Sequence, residues 1–266
     1  MPKMDTPKHS RPFNPTPNQT KDPVSGQAPD APLDAALYLL PVGLSDASPD
    51  SVIPSSNTEI MKGIRHFIVE NIRTARRWIR KCDPAFGFEG VEFYELNNHT
   101  EPSEVVRMLE PLRRGLPMGV MSEAGCPAVA DPGADVVAIA QREGLKVMPL
   151  VGPSSILMGL MGSGFNGQSF CFHGYLPIDD KARRQTLQRL ERESGKENRT
   201  QIFIETPYRN NRLMQLMTEV LMADTRICVA CDLTAENQTI ETKSVKDWRK
   251  TQYDYGKRPA IFLIYR

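Results

Sequence analysis

The sequence predicts an α/β protein with two parts, an N-terminal parallel sheet with helices and a C-terminal mixed α/β domain. Three observations carry this. From Ala35 to Arg142, short apolar runs alternate with stretches of helical period, the pattern of βα units. The run from Gly119 to Ser155, GVMSEAGCPAVADPGADVVAIAQREGLKVMPLVGPSS, spells strand, glycine-rich loop, helix, strand, loop and helix. Beyond residue 178 the style changes, and two strand patterns, Arg226 to Thr234 and Gln238 to Thr242, follow each other closely enough to pair. The expected division is a tail at 1–33, an N-terminal domain at 34–172, a linker at 173–178 and a C-terminal domain at 179–266.

The tail is rich in proline and polar residues and cannot bury enough apolar surface to offset its ordering entropy. A first strand at Ala35–Leu40 ends in Pro41-Val42-Gly43-Leu44-Ser45, and a long polar loop follows. His66–Glu70 is the second strand. Asn71 is placed to cap a helix over Ile72–Cys82. Arg73, Arg76, Arg77 and Arg80 recur at i, i+3, i+4 and i+7, so four guanidinium groups share one helix face. That face reads either as solvated surface or as a stripe for nucleic-acid phosphates. Val91–Leu96 is a third strand. A helix from Glu101 to Arg113 should break near Pro111. Met118–Met121 and Lys146–Val151 are strands on either side of a helix, and Pro153–Gly164 is the next helix. After a strand at Ser169–Phe172, a charged helix spans Lys181–Ser194, with Lys181, Arg183 and Arg184 against the dipole at its start. A strand (Thr200–Glu205), a helix reaching Met222, the two paired strands, a short helix (Val245–Thr251) and a closing strand (Pro259–Tyr265) complete the second half.

Thirty-three basic and 32 acidic residues give a net charge of +1, which argues against a generally basic nucleic-acid coat but leaves room for a local patch. No apolar run approaches the ~20 residues of a membrane span, and the N-terminus lacks the apolar core of a signal peptide. Five cysteines, an odd and scattered set, favour a reducing, cytoplasmic setting over a disulfide framework. Cys228 and Cys231 have C-x-x-C spacing inside a strand pattern and read as core thiols, so no metal is expected. Walker loops, H-E-x-x-H and G-x-S-x-G elbows are missing. The glycine- and proline-rich loops instead suit a backbone cradle around a polar ligand.

These residues carry a family resemblance. SEAGCPAVADPG (from Ser122), VMPLVGPSS (from Val147), CFHGYLP (from Cys171) and the following KARR resemble the tetrapyrrole-methylase superfamily of S-adenosylmethionine-dependent methyltransferases. Within it the chain is most similar to the small-subunit ribosomal RNA ribose 2′-O-methyltransferases, which act on a cytidine. That branch shows Ser-Asp-Ala-Gly-Thr-Pro where this chain has Ser122–Pro127. It shows Glu-Asp-Thr-Arg at Glu70–Arg73, Glu-Ser-x-x-Arg at Glu205–Arg209 and Arg-Glu-Leu-Thr at Cys231–Thr234. Asn71, Glu123, Cys126, Cys231 and Asp232 depart from it.

The resemblance implies a homodimer of two-domain subunits with S-adenosylmethionine in the cleft between the domains. By position, its contacts are Leu44, Glu123, Cys126, Asp131, Ser154 and Ser155, with Pro259 and Ala260 from the last strand. The acceptor would be ribosomal RNA or the small ribosomal subunit, met by Arg73, Arg76, Arg77, Lys181, Arg183 and Arg184. Glu70 is the leading candidate for the base that prepares a ribose hydroxyl, with pairing to Arg73 as its plain alternative; His99 is the other candidate. Two further readings stay open: a superfamily methyltransferase acting on a small-molecule or tetrapyrrole acceptor, and a catalytically idle relative that binds RNA.

Overall fold

The computed structural model describes residues 33–97 and 99–266; the expected tail lies outside them apart from Leu33. The first half runs β1 (Leu37–Leu39), α1 (Ser55–Lys62), β2 (His66–Val69), α2 (Ile72–Cys82), β3 (Glu92–Glu95), α3 (Pro102–Met108), α4 (Glu110–Arg113), β4 (Met118–Met121), α5 (Gly133–Arg142), β5 (Val147–Pro149) and α6 (Ser155–Ser163). The second runs β6 (Phe170–Tyr175), α7 (Asp180–Glu197), β7 (Thr200–Ile204), α8 (Asn210–Val220), β8 (Arg226–Cys231), β9 (Thr239–Ser244), α9 (Val245–Trp248) and β10 (Ala260–Tyr265).

The first sheet has the order β3-β2-β4-β1-β5 and is parallel throughout. Both faces are covered, as parallel sheets require. Phe67, Val69, Trp78 and Ile79 join β2 to α2 on one side, and Ile68, Val120, Leu109 and Val136 fill the other. The second sheet, β6-β7-β10-β8-β9, is mixed: β6 is parallel to β7, and β10 is antiparallel to both β7 and β8. Leu187, Leu190, Phe203, Leu213 and Phe262 pack α7 and α8 on one face. Leu160 of α6 packs on the other with Ile202 and Ile261, and Leu44 from the loop after β1 joins them. The two sheets therefore share apolar contacts at the carboxyl end of the first, where open α/β sheets bind ligands.

Several local details differ from the sequence reading. The loop expected after β1 contains α1, whose eight residues are mostly polar; only Asn57 and Met61 are buried, too few to write a helical stripe. Pro111 does break its helix, and α4 restarts with that proline in its first turn. The strand expected at 169–172 continues to Tyr175 and pairs with β7, so it belongs to the second sheet. Cys228 and Cys231 are both buried, but in separate apolar clusters. No cluster of three or more metal-ligating side chains occurs among the described residues. No helix among them is long and apolar enough to cross a membrane.

Candidate active site

Three loops meet over the first sheet. Val42, after β1, and Gly125, after β4, exchange both backbone hydrogen bonds at 2.9 Å. Gly125 has φ +76, and a Cβ there would stand 3.3 Å from Leu44. The loop after β5 is held from two sides. The buried amide of Asn57 donates to the Val151 carbonyl at 2.8 Å, which gives α1 its place in the site. The Cys126 thiol donates to the Pro153 carbonyl at 3.4 Å; burial pushes that thiol's pKa up, keeping its proton for the bond. Ser154 caps α6 through Leu157. Ala128 and Ala130 sit at φ 64 and 58, a left-handed conformation that costs a non-glycine residue of order 1 kcal/mol and collects at ligand-binding loops.

These loops and the second sheet enclose a cleft of about 320 Å³. Leu44, Cys126, Ser154 and Ser155 line it, and Phe172, Tyr175, Ile204, Glu205, Pro259 and Ala260 close it from the second sheet. Apolar walls with a few hydroxyl and backbone groups suit a nucleoside-sized ligand. Gly152 lies where the loop turns against Pro41: a Cβ there would fall 2.1 Å from the proline's own Cβ. Gly152→Ala is expected to destabilise the fold by about 1–3 kcal/mol and to weaken ligand binding in the cleft, which thermal melts and calorimetric titration would read.

A second cavity, about 650 Å³, adjoins the first and shares Leu44 and Ala124 with it. Its walls are the loop after β1, Glu123, and the α2 residues Thr74, Arg77, Trp78, Arg80 and Lys81. Glu70, half-buried at the end of β2, accepts the Glu123 backbone N–H at 2.8 Å. Burial raises its carboxyl pKa, and the carboxylates of Asp131 and Glu123 add to the rise; the Glu123 N–H opposes it. The carboxyl reaches the loop, and no ion pair joins it to Arg73 among the described residues.

The other expected residues divide. Glu123 is exposed in the larger cavity, not in the cleft. Asp131 accepts the Gly133 N–H and lines neither cavity; burial raises its carboxyl pKa against bonds from Gly133, Ala128 and Ser122. It braces the loop from beneath. His99 is exposed on the turn after the edge strand β3 and lines neither cavity. Arg73, Arg76 and Arg77 are exposed on α2.

The charged start of α7 requires a correction. Arg183 is 1% exposed. It donates to the carbonyls of Pro177 and Ile178 and faces the buried Glu205 carboxylate at 3.5 Å, so it has no surface to offer RNA. Arg184 pairs with Glu219, and Lys181 is exposed. Asp179 caps the helix and Asp180 adds negative charge to its first turn, which removes the dipole conflict read from the sequence. Glu205, Phe172 and Trp78 line the cavities without having been singled out as site residues, and Arg80, the fourth member of the arginine stripe, lines the larger one. Glu205 had a signal, its place in the Glu-x-x-x-Arg run; its carboxylate also binds Arg209 at 2.8 Å.

No protein-family model matches the chain. Among curated proteins, it is 35% identical over 175 residues to Ribosomal RNA small subunit methyltransferase I of Vibrio cholerae, covering 65% of this chain and 59% of that protein. The protein of the same name from Haemophilus influenzae is 32% identical over 59% of this chain and 54% of its own length. The chain thus spans little more than half the length of these relatives. The Escherichia coli O157:H7 protein matches more extensively, over 86% of this chain and 77% of its own, at 26% identity. Among solved structures, the methyltransferase CobJ superposes with a TM-score of 0.58 over 87% of this chain and 94% of its own, at 16% identity. The cobalt precorrin-4 methyltransferase CbiF gives 0.55 over 87% and 95%, also at 16%. The superpositions give the fold, which the chain shares with these two methyltransferases, and in sequence the chain is similar to the small-subunit ribosomal RNA methyltransferases.

Proposed function

We propose that this protein is an S-adenosylmethionine-dependent methyltransferase that methylates a ribose 2′-hydroxyl of small-subunit ribosomal RNA. The observation that carries the reading is the pair of adjoining cavities, one largely apolar and nucleoside-sized, the other walled by Arg77, Arg80 and Lys81; the Glu70 carboxyl, of raised pKa, lines neither but bonds the backbone of Glu123, which lines the larger one. The cleft fits the cofactor: a cradle that a Cβ at Gly125 would crowd, apolar walls, and the Ser154 and Ser155 hydroxyls. When bound, S-adenosylmethionine supplies an electrophilic methyl group. Leu44, Cys126, Ser154, Ser155 and Ala260 would hold it, while Glu123 and Asp131 shape the loop.

A ribose hydroxyl is a weak nucleophile near neutral pH and reacts better when its proton has somewhere to go. Glu70 would accept that proton, with the Glu123 N–H fixing one of its oxygens. A pKa above the ordinary carboxylate value makes it a stronger base. Arg77, Arg80 and Lys81 would hold phosphates flanking the acceptor. For single-stranded RNA, each phosphate contact adds about 0.7 to the slope of log affinity against log salt. Arg77→Gln is therefore expected to weaken RNA binding and reduce that slope by about 0.7, measured by filter binding over a salt series.

We also infer a homodimer that covers exposed apolar side chains, Leu157 and Met161 one turn apart on α6 at 50% and 82% exposed and Val151 at 74%; analytical ultracentrifugation tests it. Two experiments test the main reading. Isothermal titration should show S-adenosylmethionine binding, and mass-spectrometric mapping of ribosomal RNA from cells lacking the protein should show one ribose methylation missing from the small subunit. Binding without any missing ribosomal methylation would direct the activity to another acceptor. Failure to bind the cofactor would make the protein a non-catalytic relative.

A further inference from the structure

An aromatic ladder runs from the core of the first sheet to its surface beneath the basic face of α2. Phe67, fully buried on β2, stacks on Phe93 of β3 at 5.6 Å between centroids. Phe93 meets Phe88 at 6.2 Å, and Phe86 packs edge-on to Phe88 at 5.2 Å. The Arg76 guanidinium lies 4.7 Å above the Phe88 ring and 5.6 Å from Phe93. Arg80 lies 5.3 Å above Phe88. Each such contact attracts the cation to the ring face and restrains a side chain that is otherwise rotationally free. No carboxylate forms an ion pair with Arg73, Arg76, Arg77 or Arg80 among the described residues. Four unneutralised cations on one helix, two of them laid on aromatic rings, make an ordered surface for an anion with a flat face.

Arg76, Arg77, Arg80 and Phe88 line a groove of about 390 Å³. Arg77 and Arg80 also line the 650 Å³ cavity, so the two adjoin across these side chains. We propose that this groove docks an unpaired nucleotide of the RNA, a neighbour of the one that is methylated. Its phosphate sits on Arg77 and Arg80, and its base stacks on the Arg76–Phe88 platform. Unpaired bases are recognised by stacking on aromatic rings and guanidinium planes, whereas duplex RNA keeps those faces covered. An acidic protein segment would use the charges and leave the aromatic platform idle. The proposal rests on the RNA reading given above and adds a subsite to it.

The probe is a single-stranded oligoribonucleotide of the small-subunit sequence carrying 2-aminopurine, whose fluorescence is quenched on stacking. Phe88→Leu keeps the charge and the apolar packing against Phe86 and Phe93. It is expected to weaken binding about tenfold, abolish the quench and leave the salt slope unchanged. Arg76→Gln should weaken binding and lower the slope by about 0.7. Both variants should stay folded, losing no more than a few degrees of melting temperature, and keep wild-type S-adenosylmethionine affinity. Wild-type affinity and quench in Phe88→Leu would overturn the proposal, reducing the arginines to a charge patch. Equal affinity for duplex and single strand would overturn it too, as would displacement of the probe by an acidic peptide with no response to Phe88→Leu. Loss of ribosomal methylation as the function is read separately: RNA binds and stacks as described, but no methyl group is transferred.

Discussion

Glu70→Gln is expected to lower the single-turnover methyl-transfer rate about a hundredfold or more, with S-adenosylmethionine affinity nearly unchanged. General-base catalysis is worth about 10²–10⁴, and the amide oxygen of Gln can still accept the Glu123 N–H that Glu70 accepts now at 2.8 Å. The loop should stay in place while the proton acceptor is lost. The pH dependence follows from the raised pKa. A base works when deprotonated, so the wild-type rate should fall as pH drops through an ionisation above the ordinary carboxylate range. The Gln variant should lose that limb and run flat across the same pH range. An unchanged rate, or an unchanged acid limb, would remove Glu70 from the chemistry.

Glu205→Ala is expected to cost about 3–5 kcal/mol of stability, the usual penalty for stranding one member of a buried ion pair. Arg183 and Glu205 have side chains 2% and 3% exposed, and the Pro177 and Ile178 carbonyls bound by Arg183 cannot neutralise its charge. A protein of this size loses about 2–4 °C of melting temperature per kcal/mol, so calorimetry should show a drop of about 10 °C. Because Glu205 also lines the cleft, cofactor affinity should fall with it. Adding Arg183→Met to Glu205→Ala removes the stranded charge and should recover part of the stability. A double variant no more stable than the single one would mean that packing, not charge, sets the cost.

Much of the fold could be read before the structure because glycine and proline punctuate it at strand ends. Asn71 caps α2 as its residue type predicts, accepting from the Arg73 and Thr74 N–H groups. Patterning could not show α1, where the residues that matter are one amide and one methionine. Nor could the charge at the start of α7 show which arginine turns inward. The clue was spacing: Arg183, Leu187, Leu190 and Ser194 fall on one buried stripe, so position 183 belongs to the core by geometry and to the surface only by chemistry. Of the residues that line the cleft, Leu44, Cys126, Ser154 and Ser155 are ones the motifs name, because loop geometry is written in local sequence. Glu205 and Phe172 come from the other sheet, and Glu123 and Asp131 serve the loop, distinctions that depend on tertiary approach.

The position of β10 bears on how the protein is built. All five strands of the first sheet are present once the chain has reached residue 149. The second sheet cannot close in that stepwise way, because residues 260–265 run between β7 and β8 and bond to both. Until they arrive, those two strands expose inner edges with nothing between them, a state prone to mispairing. Pro259 and Ala260, at the head of that strand, also form part of the cleft. During synthesis, the cleft therefore comes into existence in one step, late, with the strand that makes the second sheet whole.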